Sequence, residues 1–271
     1  MKDKILLFIP GYNCENQVIR VLNQLDSKVM SYISSVIMVN NRSTDKTEEV
    51  VSSYINEHPD FPLTLLRNDE NYGLGGSHKV AFSYAIENNY DYVIVLHGDD
   101  QGSIHDILPI LENKKYQQYD CCLGARFMKD SKLKGYSSFR TFGNRVYNLL
   151  FSVVTGRKIF DLGSGLNMYH VDMLKNSFFE KFPDKLTFNY CMILAAHTYK
   201  HSLMFFPITW REDDQLSNVK LFSQAVKVLS MLGKYSIKRE SFITSELRDS
   251  PKENYTAKII AKNETQMDEM K

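Results

Sequence analysis

The sequence predicts an α/β protein with a mostly parallel central sheet and helices on both faces. Three observations carry that prediction. Short apolar runs recur through the first half: ILLFI (5–9), VIMV (36–39), LTLL (63–66) and YVIVL (92–96), each bounded by Pro, Asn or Asp. Segments with apolar residues at helical spacing separate them. Each run then opens into a polar stretch: PGYNCEN, NNRSTD, NDENYGLGGSHK and HGDDQGS. Repetition of strand, helix and strand implies parallel pairing with both faces covered, and ligands in such sheets bind beyond the carboxyl ends of the strands.

The elements follow in order. Val18, Leu22, Leu25 and Val29 predict a helix after the first strand, and Val50, Val51, Tyr54 and Ile55 another after the second, with Asp45 and Glu48 as a capping pair. Val80, Ala81, Tyr84 and Ala85 continue the pattern before the fourth strand. In the second half YDCCLG (119–124) and LMFFPITW (203–210) read as strands, and Val219, Phe222, Val226 and Leu229 as an amphipathic helix. Residues 246–271 are polar and read as a loosely ordered tail.

With 271 residues, 43% of them hydrophobic, the chain can bury a large core. A net charge of +1 gives no case for nucleic acid as a partner, so electrostatic arguments must be local. The cysteines, Cys14, Cys121, Cys122 and Cys191, show no CxxC spacing, and MKDKILLFIP is too short for a signal peptide, so a reduced, cytoplasmic setting is expected. The longest candidate for a membrane span, 146–154, is interrupted by Asn148 and Ser152. One stretch departs from neutrality. Between 126 and 158, eight cations (Arg126, Lys129, Lys132, Lys134, Arg140, Arg145, Arg157, Lys158) face only Asp130. Two readings stand. It is a solvated helix and loop, or, with Phe139, Phe142, Val146, Leu149, Leu150 and Val153, a helix that rests on an anionic membrane surface or grips a phosphate.

IPGYN (9–13), VNNRSTDKT (39–47), NYGLGGSHKVAF (71–82), LHGDDQGSIHDI (96–107), LGARF (123–127), DLGSGLNMY (161–169) and PITWREDDQLSNVK (207–220), in that order, resemble glycosyltransferase family 2. Within it they look most like the dolichyl- and polyprenyl-phosphate sugar synthases. The resemblance implies a GT-A fold over 1–220, with a nucleotide-binding half (1–115) and an acceptor half (116–220), followed by the amphipathic helix (221–245) and the tail. It implies an inverting transferase that takes a UDP- or GDP-sugar donor and a polyprenyl phosphate or glycan acceptor, peripheral on the inner face of the membrane. A homodimer enters as a candidate assembly.

The same resemblance implies roles for residues. Pro10, Tyr12 and Glu15 border the nucleobase. Asn40 and Asn41 replace aspartates that read the base; an amide both donates and accepts, so recognition survives without charge. Gly73 and Gly75 let backbone approach a ribose or phosphate, and Lys79 and Arg126 offer charge. Arg211, Ser217 and Lys220 belong to a loop over the diphosphate. In HGDDQGS, His97, Gly98 and Asp99 face the donor. The family's acid pair holds Mg2+ or Mn2+, but His97 stands in for the first acid. Asp99 therefore holds the cation with Asp100 or Gln101, or His97 joins and favours Mn2+, or basic residues take the cation's place. Asp161 is the acid nearest the acceptor, with an Asx turn before Gly163 as its structural alternative. FNYCMIL, acid-free where relatives acting on hydroxyls carry acids, favours an anionic phosphate acceptor, which needs less base help. The substitutions at Asn40, Asn41 and His97 motivate a second hypothesis, a nucleotide-sugar binding protein without turnover.

Overall fold

The computed structural model describes residues 2–212 and 221–263, with backbone alone for 221–225. Its centre is β1 (Ile5–Gly11), every residue of which is buried. α1 (Val18–Leu22) and α2 (Ser27–Met30) lead to β2 (Ser35–Asn40), α3 (Thr47–Glu57) to β3 (Leu63–Asn68), and α4 (Gly73–Glu87) to β4 (Tyr92–Leu96). β1 pairs in parallel with β2 and β4, and β2 with β3, as the alternation predicts. Side chains alternate across the sheet. Leu6 and Phe8 enter the core beneath α4, while Ile5, Leu7 and Ile9 enter the one beneath α1 and α3.

α5 (Leu108–Glu112) precedes β5 (Cys121–Ala125), β6 (Lys132–Lys134), α6 (Ser138–Thr155), β7 (Leu166–His170), α7 (Phe188–Thr198), β8 (Leu203–Pro207) and β9 (Thr209–Arg211). α8 (Leu221–Ile237), α9 (Arg239–Thr244) and β10 (Ala257–Lys262) complete the elements of the described residues. The eight-stranded sheet runs β10-β3-β2-β1-β4-β7-β5-β8. β7 is antiparallel to both β4 and β5.

Two expectations are corrected. LMFFPITW is not one strand: β8 ends at Pro207, the Thr209 N–H is taken by the Asp106 carboxylate at 2.6 Å, and β9 crosses to pair with β6 in a second sheet. The tail is not loosely ordered throughout, because β10 pairs antiparallel with β3 and closes that edge. Asn263 fastens its end, donating to the carbonyls of His58 and Phe61.

α6 keeps the amphipathic pattern, but its apolar face is divided. Phe151 is buried, while Phe139, Phe142, Val146, Leu149 and Val153 form a stripe open to solvent. Val226, Leu229 and Ile237 of the adjoining α8 are exposed as well. Among the described residues no helix is long and apolar enough to cross a membrane.

Candidate active site

The carboxyl ends of β1, β2 and β4 deliver three loops to one place, and hydrogen bonds between loops set their shape. The Asn13 side-chain oxygen accepts from Thr44 N–H at 2.8 Å, Glu15 from Lys46 N–H at 2.7 Å, and Asp45 from Glu15 N–H at 3.1 Å. Gly98 joins the end of β4 to β1, its N–H donating to the Pro10 carbonyl at 3.1 Å. A Cβ at Gly98 would stand 3.0 Å from that oxygen, so a side chain there would push the strands apart. Tyr12 projects from this framework with its side chain 50% exposed, and a flat ring so placed can stack on a base.

The loop after β4 holds two adjacent aspartates in opposite states. Asp100, buried and at φ +58°, is gripped by Arg20 at 2.6 Å and by Arg211, and also accepts from Gln24 at 2.9 Å. Arg211 adds a bond from Nε to the Asp100 carbonyl at 2.7 Å. Arg20, Gln24, Gln101 and Arg211 line a cleft of about 270 Å³ there. Asp99 is half-buried and accepts from Gln101 N–H at 3.2 Å. Burial pushes its carboxyl up to about 6, the charge of Asp100 adds to this, and Arg126 opposes it. His97 lies against Gly165, whose missing Cβ makes room for the ring, and its Nε2 is buried without a partner. Burial lowers its pKa to about 4, so the imidazole is neutral at pH 7.

Between the end of β5 and the start of β7, Arg126 and Asp161 form a buried fork. Nε and Nη2 of Arg126 donate to the two carboxylate oxygens at 2.8 Å each, the Arg126 N–H adds a third bond at 2.9 Å, and Gly163 N–H a fourth at 3.2 Å. Phe127, Tyr136 and Trp210 surround the guanidinium with ring centroids 5.1–5.7 Å away. Burial disfavours its charge, and Asp161 more than offsets that cost.

Residues 7–178 match the family model described as "Glycosyl transferase family 2". The chain belongs to glycosyltransferase family 2. It is 23% identical over 186 residues to a UDP-N-acetylglucosamine–dolichyl-phosphate N-acetylglucosaminyltransferase of Methanococcus voltae, covering 65% of this chain and 73% of that one. It is 24% identical over 168 residues to the undecaprenyl-phosphate 4-deoxy-4-formamido-L-arabinose transferase of Yersinia pestis, covering 61% of this chain and 48% of that protein. Among solved structures it is similar to the mannosyltransferase PcManGT from Pyrobaculum calidifontis in complex with GDP-Man and Mn2+, with a TM-score of 0.55, 16% identity, and 90% and 72% of the two chains covered. That likeness shows the GT-A fold. Family membership favours an enzyme over the binding protein without turnover.

Several residues expected at the donor of this family 2 glycosyltransferase serve its own chain instead. Asn40 donates to Glu48 at 2.8 Å and accepts from Ser43 N–H at 2.9 Å. Asn41 accepts from Asn68 and Tyr72 N–H and donates to Asn71, so both amides knit loops together. Glu15 is engaged by Lys46 N–H. Lys79 is 1% exposed, and its ammonium donates to Asp184 at 2.5 Å, the Phe182 carbonyl at 2.6 Å and Tyr255 at 3.1 Å. Gly73 and Gly75 admit close backbone, but it is the chain's own: added Cβ atoms would fall 2.4 Å from the Asp184 carbonyl oxygen and 2.3 Å from that of Pro183. Asp100 is closed to a metal by its two guanidiniums, and Asp161 is fully engaged by Arg126 and Gly163. Arg211 rests on Asp100. Ser217 and Lys220 lie outside the described residues.

Neither Arg20 nor His78 stands out in the sequence. Arg20 is one polar residue on a short helix, and the partner that makes it matter, Asp100, is distant in sequence. His78 lies within NYGLGGSHKVAF, and nothing in that run signals that its ring is buried beside His97.

Proposed function

We propose that this family 2 enzyme moves a sugar, with inversion, from a UDP- or GDP-sugar to a polyprenyl phosphate at an anionic membrane surface. The observation that carries the reading is the open stripe of α6. An 18-residue helix about 27 Å long presents two phenylalanines, two valines and a leucine to solvent. α8 adds its own exposed apolar residues, and exposed Arg145, Arg157, Lys158, Lys227 and Lys234 lie on these helices or at their ends. A face of that kind suits the boundary between headgroups and acyl chains, where a lipid-borne phosphate would be met. The relatives named as dolichyl- and undecaprenyl-phosphate transferases support the same acceptor class.

The engaged state of Asp161 fits this acceptor. Attack by a sugar hydroxyl requires a carboxylate to take its proton, whereas a phosphate monoester arrives as an anion. In this reading Arg126 and Asp161 shape the acceptor side, and Tyr12 stacks on the base. The fit to a divalent cation is partial. Among the described residues no three His, Cys, Asp or Glu side chains form a cluster that could hold one. Asp99, with a single hydrogen bond, and the neutral His97 would hold it, the donor's own phosphate oxygens and water completing the shell. Such an ion neutralises charge on the departing diphosphate.

The test is a panel of UDP- and GDP-sugars with Mn2+ or Mg2+, offered polyprenyl phosphate, the corresponding polyprenol and free glycans, with products read by mass spectrometry. Glycosylated polyprenyl phosphate is expected, along with co-sedimentation with anionic vesicles that Leu149→Glu with Val153→Glu weakens about tenfold or more. Product on glycans alone, or equal sedimentation of wild type and variant, would refute the reading.

A further inference from the structure

His78 occupies a setting in which a histidine costs stability. It sits in the first half of α4, fully buried, with rings of Phe8, Phe82 and Phe188 at 5.3, 5.7 and 5.1 Å. A leucine or phenylalanine would fill such a box without burying polar atoms. The fourth ring around it is His97, with centroids 6.4 Å apart and planes at 74°. Both imidazoles keep a buried Nε2 without a partner. A buried polar atom of this kind calls for an explanation, and two on neighbouring rings call for a shared one.

The proton positions follow from one bond. Nδ1 of His78 lies 2.8 Å from the Leu74 carbonyl, which only accepts, so Nδ1 carries the hydrogen and Nε2 is a bare lone pair. We propose that His78 is a positioning residue for His97: through one bridging water it accepts from the Nε2–H of His97, and so leaves Nδ1 of His97 as that ring's lone-pair nitrogen. With the centroids 6.4 Å apart, facing ring nitrogens come no closer than about 4 Å, too long for a direct bond and within the reach of a single intervening water. Gly165 keeps the other edge clear, since a Cβ there would lie 3.2 Å from Nδ1 and 2.9 Å from Cγ. Nδ1 would then be the atom with which His97 holds a divalent cation together with Asp99, and an imidazole ligand suits Mn2+ better than Mg2+. This last step rests on the cation reading given above; the proton assignment does not.

Imidazole 15N labelling and long-range 1H–15N correlation on the metal-free protein read the tautomers directly, with His97→Gln identifying the His97 signals. The expected result is Nε2–H on His97 and Nδ1–H on His78. Nδ1–H on His97 would overturn the proposal, and this spectrum needs no core variant. Mn2+ affinity, measured by electron paramagnetic resonance with UDP or GDP present, is expected to fall about tenfold or more in His78→Leu and to recover in His78→Gln, which keeps an acceptor. The thermal midpoint of His78→Leu should hold or rise, because the box is apolar. A folded His78→Leu with wild-type Mn2+ affinity and unchanged His97 tautomer would make His78 a packing residue and refute the positioning role. Wild type that binds no Mn2+ while showing the expected tautomers would fail the cation reading and leave the relay standing.

Discussion

Asp99, in the loop after β4, accepts one backbone hydrogen bond at 3.2 Å and has its carboxyl pushed up to about 6 by burial, whereas Asp161, ahead of β7, accepts four, three of them from Arg126. Both are acids at the rim of one sheet. The difference teaches which of them can still react. Asp161 has its charge and lone pairs answered within the fold, so its ionised form is part of the structure. Asp99 is costly to ionise until something positive arrives, which is the condition of a ligand-binding carboxylate.

Substitution is the strongest way to break that contrast. Arg126→Ala leaves Asp161 as an uncompensated buried charge and is expected to cost about 3–5 kcal/mol of stability, measured by denaturant unfolding. Replacing both partners with apolar residues should recover much of that loss. Asp99→Ala should lower turnover about a hundredfold or more with the thermal midpoint unchanged or raised. If Asp161→Asn folded as the wild type does and yet abolished turnover, Asp161 would be a reacting group and the comparison would fail.

Acidity sharpens the contrast. Protons compete with a cation for Asp99, so donor binding with Mn2+ should rise as pH passes upward through about 6 and level off above it. The stability of the metal-free protein should move the other way. A carboxyl whose folded pKa is raised binds its proton more tightly when folded, so this contribution is complete below about 4 and is lost as pH climbs through about 6. Asp99→Asn should flatten both profiles, measured by titration calorimetry and by thermal melts. The smallest effect is expected at the rim of the site: Tyr12→Ala removes one stacking face and should raise the donor KM several-fold with little change in kcat.

The first four strands were legible because ILLFI, VIMV, LTLL and YVIVL carry their burial locally. Residues whose contacts depend on a distant partner are not legible in this way. Lys79 and the glycines at 73 and 75 sit in a stretch that suggests phosphate, yet what they meet is the backbone and carboxylate around Asp184. Asn40 and Asn41 were expected to read a base, and periodicity cannot reveal that Glu48, Asn68 and Asn71 already occupy them. AKIIAK was hidden in a polar tail because a six-residue edge strand has too little apolar content to announce itself.

β10 has a consequence for how the molecule is made. Ala257 pairs with Asn68, so β3 leaves the ribosome with one edge bare and keeps it bare until residues 257–262 have been synthesised. The ammonium of Lys79 likewise waits for Asp184 and then for Tyr255. Contacts this far apart in sequence form slowly, and an open strand edge is a template for pairing with the wrong chain. Nascent chains stalled before 257–262 are therefore the species in which this protein is most exposed to aggregation, and the interval in which a chaperone would matter most.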